Sequence, residues 1–401
     1  MKKILLIIID GLSDRPIPQL KNKTPLEAAK TPNLDWLAKN GLCGKILPFQ
    51  FPWQKVPESD TCHLALFGYD PKLYYLGRGP YEAAGIGLKM KEEDVALRVN
   101  FATVNKNLKV IDRRAGRIEK TQPLIKSLSG ARIKGVRFLM KKSVGHRAVL
   151  VLRGKNLSKA ITDGDPRLVE EKVRKIFPKD KTKESRFTAE VLNKFLINAH
   201  WILKDHPFNK ERKDKKLPPA NYLLVRGAGK FKKTPSLYLK YGLKAACLAS
   251  PESLYRGIAK ILGMKLIKVR EKDTSPISNP KWKILPIKKI IKKYDFIFCH
   301  IKTADSLAED GNFFGKKEFI EKIDKNLKTL LNLKNTLIVV TADHSTCSLL
   351  KRHCPEPIPI LIYGKDKDLV KQFSEKACRK GKLGRFKQLD LMSKILALYR
   401  K

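Results

Sequence analysis

Two uninterrupted apolar runs stand out in the hydrophobic and polar pattern of the chain. Residues 4–9 are isoleucines and leucines only, and residues 337–340 are Leu-Ile-Val-Val. Because neither run alternates with polar residues, both predict strands that are covered on both faces, as in a parallel sheet. Asp10 follows the first run, and Asp343 and His344 follow the second. Sites in parallel sheets lie at the carboxyl ends of strands, so these three side chains are candidate metal ligands.

The late part of the chain alternates predicted strands with predicted helices. Residues 245–249 and 295–300 are mostly apolar and predict strands, whereas residues 253–262 and 319–331 show the apolar spacing of amphipathic helices. This alternation predicts an α/β protein with a doubly wound, mostly parallel sheet.

The candidate ligands lie near the two ends of the chain, with a long middle region between them. A domain that contains both Asp10 and Asp343 must therefore be discontinuous. We predict a metal-binding core formed by residues 1–93 and 227–401, with a smaller domain inserted at residues 94–226; the family resemblance given below implies that this inserted domain is an α+β cap.

A serine lies where a short helix is predicted to begin. Residues 57–70 predict a loop that enters a helix of one to two turns closed by Gly68, with Ser59 at or just before its first turn. Free amides and the helix dipole favour an anion there, so a phosphoryl group on Ser59 would be stabilised. The alternative interpretation is that Ser59 is only the N-cap residue.

Length and composition predict a large globular protein without an export signal. The chain has 401 residues, of which 42% are hydrophobic, enough for two domains. The first apolar run is too short to span a bilayer. A signal peptide is disfavoured because Asp10 interrupts the apolar region and no small-residue cleavage site follows. We predict a cytoplasmic protein without membrane contact.

The cysteines show neither CxxC pairs nor the spacing of a disulfide framework. We therefore predict reduced cytosolic thiols and no zinc finger. They are Cys43, Cys62, Cys247, Cys299, Cys347, Cys354 and Cys378.

A net charge of +45 would suit a protein that binds nucleic acid. The basic residues are, however, spread along the whole chain. Clusters such as residues 230–233 and 288–289 are interleaved with or flanked by apolar residues, and no nucleic-acid-binding motif accompanies them. We expect no specific nucleic-acid partner, and an anionic substrate would account for part of the excess charge.

The order of several short motifs resembles the alkaline phosphatase superfamily. They are Asp10-Gly11, residues 31–35, Glu58-Ser59-Asp60-Thr61, Asp305, Thr341-Ala342-Asp343-His344 and His353. Longer strings are similar to the archaeal-type, 2,3-bisphosphoglycerate-independent phosphoglycerate mutases, namely residues 23–29, 77–85, 100–104, 112–118 and 221–229. These strings follow the order of that family over most of the chain.

This resemblance implies an isomerase of glycolysis and gluconeogenesis that interconverts 3-phosphoglycerate and 2-phosphoglycerate through a phosphoserine at Ser59. It also implies two divalent metal ions, drawn from Mn, Zn, Co and Mg. One ion would be held by Asp10, Ser59, Asp343 and His344, and the other by Asp305 and His353. Glu309, which departs from the family pattern, is a further candidate ligand of the second ion. Imidazole combined with carboxylates suits Zn or Mn better than Ca.

The chain departs from the family pattern in two places. Glu309 stands four residues after Asp305, where the family has His. A carboxylate there can still bind a metal and would favour Mn or Mg, whereas the alternative is that Glu309 faces solvent and Asp310 or water takes its place. The second departure is at residues 270–275, where the family carries a glycine-containing loop before an Asp-Thr pair.

The resemblance also implies substrate-binding residues in the inserted domain, because guanidinium groups bind planar carboxylate and phosphate oxygens in pairs. They are Arg113, Arg114, His146, Arg147 and Arg226. The alternative for each arginine is a solvated surface position.

Two other functions are open to this sequence. A phosphatase or phosphotransferase of the same superfamily would act on another small phosphate ester, since water that reaches a phosphoserine hydrolyses it. A catalytically impaired relative would only bind a phosphorylated ligand or nucleic acid. The sequence does not define the oligomeric state.

Overall fold

The computed structural model describes residues 2–249, 252–269 and 279–400. The strands in these residues are β1 (Lys3–Ile9), β2 (Gly41–Leu47), β3 (Val95–Val104), β4 (Val110–Asp112), β5 (Arg132–Ile133), β6 (Val136–Lys142), β7 (Arg147–Arg153), β8 (Tyr222–Lys230), β9 (Ala245–Leu248), β10 (Lys265–Leu266), β11 (Phe296–Ile301), β12 (Thr336–Thr341), β13 (Ser345–Cys347), β14 (Arg352–Cys354), β15 (Ile358–Tyr363) and β16 (Gly384–Lys387). The α-helices are α1 (Pro25–Ala28), α2 (Pro32–Lys39), α3 (Ser59–Leu66), α4 (Pro71–Tyr74), α5 (Arg78–Gly85), α6 (Gln122–Leu128), α7 (Lys183–Lys204), α8 (Pro207–Asp214), α9 (Leu237–Tyr241), α10 (Ser253–Ile261), α11 (Lys281–Ile284), α12 (Ile287–Ile290), α13 (Thr303–Glu309), α14 (Phe313–Leu327) and α15 (Leu391–Arg400).

The chain divides into two units. The first comprises Met1–Tyr75, Pro235–Ser250 and Leu262–Lys401, and the second comprises Leu76–Thr234 and Pro251–Ile261. The second unit thus begins before the predicted insertion and includes α10, which the sequence analysis placed in the core. The insertion at residues 94–226, as a separate substrate-binding domain, remains a prediction.

The first unit contains an eight-stranded sheet in the order β10-β9-β11-β1-β12-β15-β2-β16. The pairs from β10 to β12 are all parallel, and β15 is antiparallel to both of its neighbours. Strand β1 lies between β11 and β12, and Ile4 through Ile9 are fully buried. The predicted α/β fold with a mostly parallel sheet is confirmed.

The strand register brings distant parts of the sequence to one edge of this sheet. Ile9 pairs with Ile301 of β11, and Ile8 pairs with Thr341 of β12. The residues that follow these three parallel strands therefore lie at the same carboxyl edge. Helix α13 begins two residues after β11 ends, which places Asp305 in its first turn beside that edge.

The second unit contains an antiparallel sheet in the order β4-β3-β7-β6-β5, with β8 paired to the other side of β3. Every residue of β3 is buried. Helix α7 packs against the sheet, where Phe195 stacks on Phe138 of β6 with ring centroids 4.2 Å apart. Among the described residues no helix is both long and apolar enough to cross a bilayer.

A disulfide in the first unit contradicts the prediction of seven reduced thiols. Cys347 at the end of β13 is bonded to Cys354 at the end of β14. The two strands form an antiparallel hairpin in which Thr346 pairs with His353, so the cysteines flank this pair diagonally. Hairpin register, which the spacing of cysteines along the chain does not reveal, brought the two sulfur atoms together.

A buried carboxyl group lies behind the hairpin in the first unit. Glu375 accepts hydrogen bonds from the Thr24 hydroxyl (2.8 Å) and from the Asp14 amide (3.3 Å). Burial raises the pKa of Glu375 to about 7, although the Thr24 hydrogen bond acts in the opposite direction. The folded protein therefore holds a proton that the unfolded chain releases near pH 4.5.

Glu375→Gln should flatten part of the pH dependence of stability. The pKa of Glu375 is higher in the folded protein than in the unfolded chain. The free energy of unfolding of the wild type should therefore fall by about 3 kcal/mol as the pH rises from 4.5, the unfolded-state pKa, to about 7, the folded-state pKa. Urea unfolding at pH 5 and pH 8 measures this difference. Glu318→Gln, at an exposed position of α14, is the control and should keep the wild-type dependence. Equal slopes for wild type and Glu375→Gln would contradict the prediction.

The second predicted departure from the family pattern, at residues 270–275, lies outside the described residues.

Candidate metal centre

Four acceptor atoms converge at the carboxyl edge of the sheet in the first unit. The Nε2 atom of His344 lies 3.0 Å from Ser59 Oγ, 3.2 Å from Asp343 Oδ2 and 3.5 Å from Asp10 Oδ1. Ligands at about 2.1 Å from a tetrahedral ion lie roughly 3.4 Å apart, so this spacing fits one divalent cation. The structure thus brings together the four side chains predicted for the first ion.

Burial and charge favour a cation at this cluster. Asp10, Asp343 and His344 have no exposed surface. Burial, and then the charge of Asp10, raises the pKa of Asp343 well above its ordinary value. Burial, and then His353, lowers the pKa of His344 to about 3, so this imidazole is neutral at pH 7. Asp343 Oδ2 accepts no hydrogen bond from the described residues, which leaves a buried acceptor suited to a metal ion.

Ser59 is the first residue of α3, and the preceding residue, Glu58, is the N-cap. The alternative that Ser59 serves only as the N-cap is therefore wrong. Its side chain instead points to His344, and only 4% of Ser59 is exposed.

The predicted ligands of the second ion lie beside the first group. His353 Nε2 is 3.6 Å from Asp305 Oδ1, and the rings of His353 and His344 stack with centroids 3.7 Å apart. The Nδ1–H group of His353 donates to the Pro57 carbonyl (2.8 Å), which leaves the Nε2 lone pair directed toward Asp305. Backbone partners of this kind hold metal-binding imidazoles in one tautomer.

Glu309 lies at the rim of this second group. Its Oε1 atom is 4.0 Å from His353 Nε2, and 47% of its side chain is exposed. Ligands at about 2.1 Å from one ion lie up to roughly 4.2 Å apart, so Glu309 and His353 are close enough to share a cation. Its role as a ligand remains a prediction.

A buried lysine supports the loops that carry the ligands. Lys316 of α14 has no exposed surface and donates to Asp14 Oδ2 (3.0 Å), to the Ser13 carbonyl (3.2 Å) and to the Thr346 carbonyl (2.9 Å). The Thr346 hydroxyl in turn donates to Asp305 Oδ1 (2.6 Å). The loop after β1 and the β13–β14 hairpin are therefore held by the same ammonium group.

Sequence analysis missed three residues at the centre. His300 Nε2 lies 3.2 Å from Asp10 Oδ2, and Lys302 Nζ lies 3.1 Å from the same oxygen. The Nδ1–H group of His63 donates to the Ser59 carbonyl (2.7 Å). His300 and Lys302 are at the carboxyl end of β11, so the argument that selected Asp10 would also have selected them.

A cluster of arginines occupies one face of the sheet in the second unit. Arg98 of β3 pairs in register with Arg226 of β8, and Asn100 pairs with Arg147 of β7. Alternation along the strands places these four side chains on the same face. Arg113 forms an ion pair with Asp165 (2.7 Å), which also lies 3.9 Å from Arg226.

The positive charges in this cluster exceed the carboxylates that balance them. Burial, and then Arg226, lowers the pKa of Arg98, which is 5% exposed. Burial, and then Arg147 and Arg114, lowers the pKa of His146 to about 3. The Nε atoms of Arg98, Arg147 and Arg226 have no hydrogen-bond partner among the described residues. Buried, unsatisfied guanidinium donors favour an anionic ligand.

All five predicted substrate-binding residues belong to this part of the second unit, together with two that were missed. Arg78 and Arg98 approach Glu82, at 3.4 and 3.9 Å. Arg98 is a single arginine within the otherwise mostly apolar strand β3 and gave no signal of its own.

Comparisons with known proteins agree with this architecture. A sequence model of the family described as 2,3-bisphosphoglycerate-independent phosphoglycerate mutase matches residues 38–209. The chain is 44% identical to such a mutase of Methanocaldococcus jannaschii, covering 99% of this chain and 97% of the relative. It is 43% identical to one of Archaeoglobus fulgidus, with coverage of 98% and 97%.

A solved structure has the same fold over the full length. The cofactor-independent phosphoglycerate mutase of Thermoplasma acidophilum is 37% identical, with a TM-score of 0.70 and complete coverage of both chains. The fold of the chain is therefore that of a cofactor-independent phosphoglycerate mutase. By sequence, the chain belongs to the 2,3-bisphosphoglycerate-independent phosphoglycerate mutases. The two alternative functions considered from the sequence are not favoured by these relatives.

Proposed function

We propose that the protein interconverts 3-phosphoglycerate and 2-phosphoglycerate by passing a phosphoryl group to and from Ser59. The observation that carries this proposal is the position of Ser59 Oγ, 3.0 Å from His344 Nε2 at the start of α3. A hydroxyl that shares a buried site with Asp10 and Asp343 has the surroundings of an activated nucleophile. The family of the chain supports the same assignment.

The donor atoms fit two divalent ions. Asp10, Ser59, Asp343 and His344 would hold one ion, and Asp305, Glu309 and His353 the other. Bound there, such ions supply Lewis acidity, which lowers the pKa of the serine hydroxyl and offsets charge on the phosphoryl oxygens. Both imidazoles and carboxylates are present, so Mn, Zn, Co and Mg all remain candidates.

In this mechanism the Ser59 oxygen forms a bond to phosphorus while the ester bond to the substrate oxygen breaks. The proton that the Ser59 hydroxyl loses balances the proton that the released glycerate oxygen gains. Ser59 then carries the phosphoryl group at the amino end of α3, where backbone amides favour an anion. The glycerate then turns, its other hydroxyl attacks phosphorus, and the Ser59 oxygen leaves. Water must be excluded between the two transfers, because hydrolysis of the phosphoserine would give a phosphatase.

The arginine cluster of the second unit is the proposed binding site for the anionic groups of the substrate. Arg113, Arg114, His146, Arg147 and Arg226 were assigned to it from the sequence, and Arg98 adds a buried guanidinium. A small phosphorylated carboxylate offers planar oxygens that paired N–H donors bind well. A cytoplasmic location and the lack of a specific nucleic-acid partner remain predictions.

One assay tests the proposed function. Metal-free protein is supplied with Mg, Mn, Co or Zn and given 3-phosphoglycerate, and both 2-phosphoglycerate and inorganic phosphate are measured. The proposal expects isomerisation to exceed phosphate release with at least one metal. Phosphate release without isomerisation for every ion would instead identify a phosphatase.

Arg147→Lys should lower kcat/KM for 3-phosphoglycerate at least tenfold. A point charge cannot replace the planar fork of a guanidinium, and a charge-assisted hydrogen bond contributes about 1.5 to 3 kcal/mol. Steady-state kinetics measures the effect, and the same change at Arg114 is expected to act in the same direction. Arg137→Lys, at an exposed position of β6, should leave kcat/KM within twofold. Unchanged kinetics for Arg147→Lys would indicate that Arg147 is a solvated surface residue that does not bind the substrate.

Glu309→His should shift metal preference toward Zn or Co, because an imidazole is a softer ligand than a carboxylate. Glu309→Ala should instead weaken the second ion, by a factor of roughly 10 to 100 if the carboxylate binds or supports it. Metal titrations of wild type and both variants measure these changes. Identical affinities and preferences in all three proteins would show that Glu309 faces solvent.

A further inference from the structure

Lys302 occupies a fixed place at the centre rather than a mobile loop. It follows the last residue of β11 and precedes α13, which begins at Thr303. The Asp10 amide donates to the carbonyl of Ile301 (2.9 Å), so Lys302 lies directly beside Asp10. The position of its backbone is therefore set by the register of the buried strands.

The ammonium group of Lys302 joins carboxylates that belong to different predicted metal sites. Its Nζ atom is 3.1 Å from Asp10 Oδ2, and it donates a hydrogen bond to Asp305 Oδ2. Both carboxylates are fully buried, whereas 22% of the Lys302 side chain is exposed. Lys302 is therefore the member of this ion-pair group that is in contact with solvent.

Metal ions would change the partner of this ammonium group. Two divalent cations that bind Asp10 and Asp305 repel a third positive charge held between the same oxygens. The lysine side chain is a flexible four-carbon stem and can turn outward at little cost. On its exposed side it would meet an anion that approaches the ions.

Charge counting gives the ammonium group a function there. The centre contains the carboxylates of Asp10, Asp305 and Asp343, with that of Glu309 at the rim. Two divalent ions balance four carboxylates, which leaves no net positive charge for an incoming phosphoryl dianion. Lys302 supplies the missing positive charge.

We propose that Lys302 binds the phosphoryl group during transfer, as a third cation beside the two metal ions. The inference rests on the two-metal phosphoryl transfer proposed above. It assigns Lys302 a direct contact with phosphoryl oxygens rather than a role as a ligand or as a support for the ligands. An ammonium group is a compact point charge that serves well as a phosphate-binding residue.

Calorimetry of Lys302→Met and Lys302→Arg tests this role without measuring turnover. Metal-free proteins are titrated with Mn²⁺, and the Mn²⁺-loaded proteins are then titrated with inorganic phosphate. Lys302→Met should bind Mn²⁺ at least as tightly as wild type, because a competing cation has been removed, but should bind phosphate at least tenfold more weakly. Lys302→Arg should keep phosphate affinity within about threefold, since it keeps the charge.

Lys3→Met is the matched control. Lys3 belongs to the same sheet and pairs with Asp295 at 3.2 Å, at the opposite edge from the centre. The Lys3→Met variant should bind both Mn²⁺ and inorganic phosphate as the wild type does.

Two results would overturn the role of Lys302 alone. One is a Lys302→Met protein that holds two Mn²⁺ ions and binds phosphate as wild type does. The other is a Lys302→Met protein that binds Mn²⁺ tenfold more weakly, which would make Lys302 a support for Asp10 and Asp305. A wild-type protein that binds fewer than two ions would instead refute the two-metal proposal together with this inference.

Discussion

Ser59→Ala should abolish mutase turnover and the covalent phosphoenzyme while leaving the fold intact. The variant loses the atom that accepts phosphorus, so a fall in kcat on the order of a thousandfold or more is expected. The buried cluster keeps Asp10, Asp343 and His344, and metal binding should weaken without being lost. Kinetics with 3-phosphoglycerate and the mass of the intact, acid-quenched protein measure the two effects.

Thr61→Ala is the matched control for this change. Thr61 lies in the first turn of the same helix, is fully buried, and donates its hydroxyl to the Glu58 carbonyl (3.0 Å). It should retain turnover within a few-fold of wild type. Persistent turnover or phosphorylation in Ser59→Ala would exclude the phosphoserine route.

Asp343→Asn should have opposite effects on the metal-free and the metal-loaded protein. Without metal, the buried carboxyl group of Asp343 is destabilising in its charged form, since burial and Asp10 raise its pKa. A neutral amide removes that cost and can still accept the hydrogen bond from the Gly11 amide (3.3 Å). The free energy of unfolding in chelator at pH 7 should therefore rise by about 1 to 3 kcal/mol.

With metal, the same change should abolish catalysis. An amide is a poorer ligand than a carboxylate, so turnover should fall by a factor on the order of a thousand and stabilisation by Mn²⁺ should largely disappear. Unfolding curves with chelator and with saturating Mn²⁺ separate the two effects. Asp295→Asn, at the opposite edge of the sheet, should change neither turnover nor stabilisation by metal. A metal-free Asp343→Asn protein less stable than wild type would contradict the electrostatic argument.

The central sheet and several candidate ligands could be predicted from the sequence, because a strand that is buried on both faces is an uninterrupted apolar run. Strand β1 is an unbroken apolar run, and the polar residue that follows it must lie at the sheet edge. This pattern indicates both Asp10 and Asp343 without reference to any family. The motif order then added Ser59, Asp305 and His353, which the structure places at the same edge.

The residues that were missed share a physical cause. His300 and Lys302 could have been found from their position at the carboxyl end of β11, but only the pairing of β11 with β1 shows that they lie beside Asp10. Arg98 is buried on β3, and only its neighbours across the sheet identify it as part of a cationic cluster. A site formed by side chains from several paired strands cannot be predicted from the sequence of one strand alone.

The prediction of seven reduced cysteines failed for a related reason. Cys347 and Cys354 meet because β13 and β14 form a hairpin, whereas the prediction considered only spacing along the chain. The alternation of strands and helices places α10 in the predicted core, whereas the division into compact units places it in the second unit; the predicted domain bounds remain a prediction. Alternation indicates a fold class and does not show to which unit each helix belongs.

The position of β1 has a consequence for biosynthesis. Ile4 of β1 pairs with Phe296 of β11 and Leu337 of β12, so β1 leaves the ribosome long before the two strands on either side of it have been made. Contacts of such large sequence separation form slowly, whereas most of the second unit is continuous and can fold while translation proceeds. The nascent chain therefore exposes the apolar strand β1 until β11 and β12 have been made, and this strand is the segment that chaperones would need to protect.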